Sequence, residues 1–225
     1  MTIVFEQRAS DSPYIESVTH GYTLSNGRTI RPVEYCWHMV FVKENGSFHP
    51  IIAGPFTSAG DVSWGKDAEV LWLKFKPGVF MPHLPFSHLL NSEIALPEAT
   101  GQAFWLKSAT WASPTFENAE VFVNRLIKDE ILVHDSVVSA VLQGQPHDMA
   151  PRTVRHRFQR ATGQTQKQIQ QARRALQASS LLQNGASILD TAYQLGYTDQ
   201  SHLTHALKMF VGHTPGQLTP QKNPA

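Results

Sequence analysis

Two stretches near the C-terminus repeat one pattern at a spacing of 49 residues. Arg152-Thr-Val-Arg-His-Arg-Phe-Gln-Arg-Ala-Thr-Gly163-Gln-Thr165 aligns with Ser201-His-Leu-Thr-His-Ala-Leu-Lys-Met-Phe-Val-Gly212-His-Thr214. His156 falls on His205, Gly163 on Gly212, Thr165 on Thr214, and the apolar pair Val154/Phe158 on Leu203/Leu207. At 100° per residue, Val154, Phe158 and Ala161 share one helix face, and Arg152, Arg155, His156 and Gln159 lie opposite. In the second copy Leu203, Leu207 and Phe210 form the apolar edge, with Ser201, Thr204, His205 and Lys208 opposite. Each copy reads as a short helix closed by a glycine suited to a left-handed helix end. The outward side chains recur at i, i+3, i+4 and i+7 and can all hydrogen-bond, as a helix lying in a DNA major groove requires. A chain with this duplication is constrained to a helical C-terminal part, and the partner it points to is double-stranded DNA.

Charge supports that partner. The net charge is only +1 over 225 residues, but from Ala150 onward there are 9 Lys/Arg against 2 Asp/Glu. The first 149 residues carry the other 10 basic and 16 acidic side chains. Such asymmetry predicts one part that meets a polyanion and one that does not. The single Cys36 has no partner for an internal disulfide and lies in an apolar run, which fits a reducing, cytoplasmic setting and a packing role. No apolar run approaches the ~20 residues of a membrane span, and the N-terminus shows no signal-peptide pattern.

The N-terminal part reads as strands. Val33–Val42 is rich in β-branched and aromatic residues, and Lys43-Glu-Asn-Gly46 offers a hairpin turn into Phe48–Ala53. Val62–Trp64 and Glu69–Phe75 add two more, the last alternating Leu71, Leu73, Phe75 against Val70, Trp72, Lys74. Short strands at this spacing predict a sandwich or barrel. Residues 80–114 are mixed and contain prolines. Helical patterning then begins near Pro114 and runs to Lys128, with Phe116, Ala119, Val123, Leu126 and Ile127 as its buried side. Asp135–Gln143 reads as a short helix stopped by Gly144 and Pro146, and Thr165–Asn184 as a long connector ending at Gly185. The expected fold is α+β: a β-rich, cupin-like barrel or sandwich over residues 1–113, then an all-α domain with two helix-turn-helix units over residues 114–225.

The second unit is the clearer. Ser187-Ile-Leu-Asp190 reads as a capping box, Leu195-Gly-Tyr197 as the turn, and Thr198 or Asp199 as the cap of the next helix. Ala192-x-x-Leu195-Gly-Tyr197-x-Asp-x-Ser201-x-Leu203, followed by Lys208, Gly212 and Thr214-Pro215, resembles the second helix-turn-helix of AraC-family transcription regulators. Arg152-x-Val154…Phe158…Ala-Thr-Gly163 resembles the recognition helix of the first. Phe75-Lys-Pro-Gly-Val-Phe80 and Ala95-Leu-Pro-Glu98 are similar to a subgroup with a small β-rich N-terminal domain.

The resemblance implies two helices in successive major grooves, about one DNA turn or ~34 Å apart. Carried over by position, the base-reading residues are Arg152, Arg155 and His156 in the first unit and Gln200, Ser201, Thr204 and His205 in the second. Arginines can take guanine bidentately, Gln200 can read adenine, and the Thr204 methyl can meet a thymine methyl. Arg157, Arg160 and Lys208 flank these faces and are assigned to phosphates, which position without specifying sequence. His156 and His205 stand where arginine is common in the family. The first unit's positioning helix is abbreviated, since Gln143–Asp148 contains Gly144 and Pro146.

The rival class is a cupin-like metal-dependent enzyme, or a ligand-binding protein, with an accessory DNA-binding domain. His38, His49, His83 and His88 lie in the β-rich part but show no tight ligand spacing, so no metal, cofactor or catalytic group is expected. Gly-rich phosphate loops and Gly-x-Ser-x-Gly elbows are missing from the sequence. A small-molecule effector pocket is assigned to Trp37, His38 and Trp72. The family also implies a homodimer formed through the N-terminal part and contact with RNA polymerase.

Overall fold

The computed structural model describes residues 2–145 and 148–220. Twelve strands come first among the described residues: β1 (Ile3–Ala9), β2 (Ile15–Thr23), β3 (Gly27–Arg31), β4 (His38–Glu44), β5 (Ser47–Ala53), β6 (Gly60–Trp64), β7 (Glu69–Phe75), β8 (Val79–Phe80), β9 (Glu93–Ala95), β10 (Glu98–Thr100), β11 (Ala103–Leu106) and β12 (Ala109–Ala112). They are followed by α1 (Ala119–Lys128), β13 (Val133–His134), α2 (Ser136–Leu142), α3 (Pro151–Thr162), α4 (Gln166–Gln183), α5 (Ile188–Gln194), α6 (Gln200–Phe210) and α7 (Pro215–Leu218). The β-rich and helical parts follow the α+β expectation. Among the described residues no helix is long and apolar enough to cross a membrane.

The main sheet is open, with strand order β1-β2-β7-β4-β5-β9. Its β4–β5 hairpin closes through Asn45 and Gly46, whose φ values of 50° and 77° are the left-handed pair that a two-residue hairpin turn needs. In β7 the alternation holds for most of the strand: Leu71, Leu73 and Phe75 are buried and Trp72 and Lys74 face the other side half-buried, but Val70 on that side is buried too. Phe41 from β4 meets Phe104 at 5.5 Å and Phe122 of α1 at 6.1 Å between ring centroids. This aromatic cluster ties the sheet to β11 and α1.

Three expectations are corrected. The strands β1, β2 and β3 have no counterpart in the sequence pattern: β1 is an edge whose residues are mostly exposed whether apolar or polar, and β2 interrupts its apolar positions with Ser, Thr and His. The strand expected at Val33 begins instead at His38; Glu34 forms only an isolated bridge to Phe56. The helix expected from Pro114 begins at Ala119, so Phe116 precedes it, and Phe122 takes the buried position assigned to Phe116 and Ile127.

The start of α1 is pinned by charge. Arg8 pairs with both Glu120 oxygens at 2.6 and 2.8 Å, and also donates to the Phe116 carbonyl at 2.6 Å. Hydrogen bonding from Arg8, aided by Ser10, holds the Glu120 carboxyl at about 2, against an ordinary 4.5. A carboxyl depressed in the folded state stabilises fully above its unfolded pKa and loses that contribution as pH falls through about 2. The pair is about a third exposed (33% and 28%), so solvent screening reduces the gain to ~1–2 kcal/mol. Glu120→Gln should therefore be less stable than wild type to urea at pH 7, and the two unfolding curves should converge as pH approaches 2.

By contacts the chain divides into two compact units. One holds residues 1–28, 36–55 and 63–165, and so includes α1, α2 and α3. The other holds residues 29–35, 56–62 and 166–225. In this second unit Ala172, Ala175, Ala178 and Leu182 of α4 pack with Ala192, Tyr197, Leu203, Leu207, Phe210 and Leu218, and Val33 joins the same core.

Candidate nucleic-acid interface

The second helix-turn-helix is built by local chemistry. Ser187 caps α5, accepting from the Asp190 amide at 3.1 Å. Asp199 caps α6, accepting from the His202 amide at 2.7 Å, and this backbone bond lowers its pKa. Between the helices, Tyr197 is buried, and the Arg174 guanidinium of α4 lies 4.3 Å from its ring centroid. Leu203 and Leu207 are fully buried and fix the roll of α6. That roll turns Gln200, Ser201, Thr204, His205 and Lys208 together onto one open, concave patch. The Thr204 hydroxyl donates to the Gln200 carbonyl at 2.8 Å, which uses its one proton and leaves its acceptor lone pairs and its methyl for other contacts.

The far end of α6 is held by segments distant in sequence. The Val33 amide donates to the Phe210 carbonyl at 2.6 Å, and the Ala59 amide to the Met209 carbonyl at 2.9 Å. These are last-turn carbonyls, which a helix cannot satisfy internally. Gly212 follows at φ 80°, with Ile30 against the position a Cβ would take. Nothing in the sequence pattern marked Ile30, Val33 or Ala59 for this duty.

The first copy, in the other unit, is divided as the helical wheel requires. Val154, Phe158 and Ala161 are buried, and Arg152, Arg155 and His156 are exposed. Pro151 occupies the first helical turn, where a missing N–H costs nothing. Gly163 ends the helix at φ 69°, with the Phe86 Cβ only 2.7 Å from where its own would stand. Arg157 is engaged within the fold: its Nε and Nη2 bind the two Asp135 oxygens at 2.8 Å each. Asp135 is also the cap of α2, accepting from the Val137 amide at 3.1 Å, so one carboxylate joins α2 to α3. The sequence pattern places Asp135 at the start of a short helix, but neither its capping role nor its partner 22 residues on is legible there. Arg160 is exposed, 5.4 Å from the Phe80 ring centroid. The positioning helix α2 ends at Leu142, with Gly144 at φ 68°; Pro146, the second expected stop, lies outside the described residues.

Residues 147–221 match the model of a helix-turn-helix domain family, of AraC type. The chain carries a DNA-binding domain of the AraC type. With it the protein is a DNA-binding transcription regulator. Solved structures similar to the chain include ToxT from Vibrio cholerae O395, at 11% identity, 96% coverage of both chains and a TM-score of 0.41. An apo, substituted ToxT from Vibrio cholerae strain SCE256 is 12% identical over the same coverage, with a TM-score of 0.37. No curated protein matches the chain by sequence.

The three residues assigned to an effector pocket do not converge. Trp37 is core, stacked on Phe75 at 4.0 Å and donating from its indole to the Val79 carbonyl at 2.7 Å. His38 and Trp72 lie on the sheet face opposite Leu71 and Leu73, in adjacent rows: His38 is paired with Lys74, and Trp72 with Val40. Among the described residues no three His, Cys, Asp or Glu side chains gather to hold a metal.

Proposed function

We propose that this regulator reads specific DNA sequences through the exposed faces of α3 and α6, and that its N-terminal part senses a small molecule. The observation that carries the reading is the α6 patch, where four hydrogen-bonding side chains and one lysine share a solvent-facing surface on the second helix of an AraC-type unit. Gln200, Ser201, Thr204 and His205 have the chemistry to contact base edges, and Arg152, Arg155 and His156 serve α3 in the same way. Lys208 and Arg160 take phosphates. Arg157 was assigned there too, but its bidentate pair with Asp135 is better suited to fixing α3 on α2.

Residues 114–225 would supply DNA binding, and residues 1–113 sensing and homodimerisation. Contact with RNA polymerase would convert occupancy into a change in transcription. Gel filtration of the full chain over a range of concentrations tests the dimer, because residues 29–35 and 56–62 also complete the helical unit and cannot be removed without disturbing it.

The DNA reading is tested by selecting a binding site from random duplexes and then scanning it base by base. Gln200→Ala should relax preference at one position only. Lys208→Ala should weaken binding to every duplex alike and reduce the slope of log affinity against log salt by about one. An unchanged slope would remove Lys208 from the phosphate contacts, and no site preference would remove the reading as a whole.

A further inference from the structure

The inner face of the main sheet ends in a cavity of about 270 Å³ within the β-rich unit. Strand register places Glu6 opposite His20, His20 opposite Leu71, and Leu71 opposite Phe41. Phe41 and Leu71 are buried and give the cavity an apolar floor. The strap of residues 113–117, which leads into α1, forms the opposite wall with Phe116. Because Arg8 binds the Phe116 carbonyl and stands 5.1 Å from its ring, that wall is formed in advance.

The rim is acidic. Glu6 and Glu117 both line the cavity and are both exposed. Deeper in, Glu69 is already engaged, accepting from His20 Nε2 at 2.9 Å and the Tyr22 hydroxyl at 3.3 Å and pairing with Lys43 at 3.5 Å. Among the described residues Glu6 meets only His20 Nδ1, at 3.4 Å, which leaves most of its accepting capacity open. With Lys43 the one lysine or arginine of the lining against three glutamates, the cavity favours a cation. Although Glu6 and Glu69 flank His20, no three such side chains among the described residues are placed to hold a metal ion together. Carboxylates above an aromatic and aliphatic floor suit a cation carried on an apolar body instead.

We propose that this cavity binds a small organic ammonium. Its apolar group rests on Phe41, Leu71 and Phe116, and its charged nitrogen is held by Glu6 and Glu117. This deepens the sensing role proposed above, supplying the chemical class of the ligand and a place for it away from Trp37, His38 and Trp72. Bound there, an ammonium joins β1 to the strap that leads into α1. Binding is read on the full chain without DNA, so its failure would leave the DNA reading standing.

The test is calorimetric titration, supported by thermal melts, with phenethylammonium as probe and 2-phenylethanol and phenylacetate as matched neutral and anionic controls. Phenethylammonium should bind ~10-fold or more tighter than 2-phenylethanol, and phenylacetate should not bind. The double variant Glu6→Gln/Glu117→Gln alters only exposed carboxylates. It should lose ~10-fold or more for the amine and leave the weak binding of 2-phenylethanol unchanged. Phenylacetate binding as tightly as the amine, undiminished amine binding in the double variant, or no binding of the amine at about 10 mM would each overturn the proposal. So would a zinc titration whose heat is abolished by the same two substitutions, since that would make the site a metal site.

Discussion

Phe158→Ala should cost ~3–5 kcal/mol of stability, and Arg155→Ala, three residues away on the same helix, should leave the melting temperature unchanged. Phe158 is 2% exposed, so truncating it opens a cavity under α3. A loss of that size is a large share of the ~5–15 kcal/mol that typically holds a protein folded. Arg155 is exposed and makes no hydrogen bond or ion pair among the described residues, so its loss removes nothing from the packing. Its removal should instead cost ~1–3 kcal/mol of discrimination at one or two base pairs. Thermal melts and base-scanned binding on both variants separate the two duties. An unfolded Arg155→Ala chain, or a Phe158→Ala chain that melts normally and changes base preference, would show that the faces of α3 are assigned the wrong way round.

Arg157→Ala gives the contrast that tells a structural arginine from a reading one. It should lower stability by leaving Asp135 without its bidentate partner, although Asp135 keeps the Val137 amide. Hence a change in melting temperature is expected for Arg157 and none for Arg155. From sequence alone the two residues look equivalent. Their spacing of two places them on different sides of α3, and only the fold shows that a carboxylate waits on one of those sides.

That difference marks where the sequence stops being legible. Periodicity carries the helices well because each amphipathic face is a local pattern: α3, α4 and α6 lie within a residue or two of expectation, with Pro151 in the first turn of α3, Gly163 as its C-cap and Asp199 as the N-cap of α6. It carried β7 for the same reason. It failed for β1 and β2, whose side chains meet partners across the sheet and not along the strand. Glu6, His20 and Glu69 are separated by up to 63 positions, yet they adjoin one cavity only because three strands pair in register. No local signal announces such a site. The aromatic and imidazole side chains Trp37, His38 and Trp72 suggest an effector pocket by residue type alone, but strand alternation sends Trp37 into the core and the other two to the opposite sheet face.

Gly212→Ala should be strongly destabilising, by ~2–4 kcal/mol, for two separable reasons. One is the backbone, since φ 80° is the left-handed region that disfavours a residue with a Cβ. The other is Ile30, whose Cγ2 stands where the new methyl must go. A double-mutant cycle with Ile30→Ala divides them: in that background Gly212→Ala should retain only the backbone cost of ~1–2 kcal/mol, so the coupling between the two sites should reach at least ~1 kcal/mol. The functional consequence follows from what Ile30 belongs to. The segments 29–35 and 56–62 satisfy the last carbonyls of α6 and close the turn beyond it, so the helix assigned to read DNA is completed by residues from the N-terminal half of the chain. Affinity for the bases read by Gln200 and Thr204 should therefore fall with Gly212→Ala and recover in part with Ile30→Ala added. If Gly212→Ala costs the same with and without Ile30, the steric share of the argument is wrong. If stability falls with no change in affinity for the selected site, α6 does not depend on this clamp to hold its reading position.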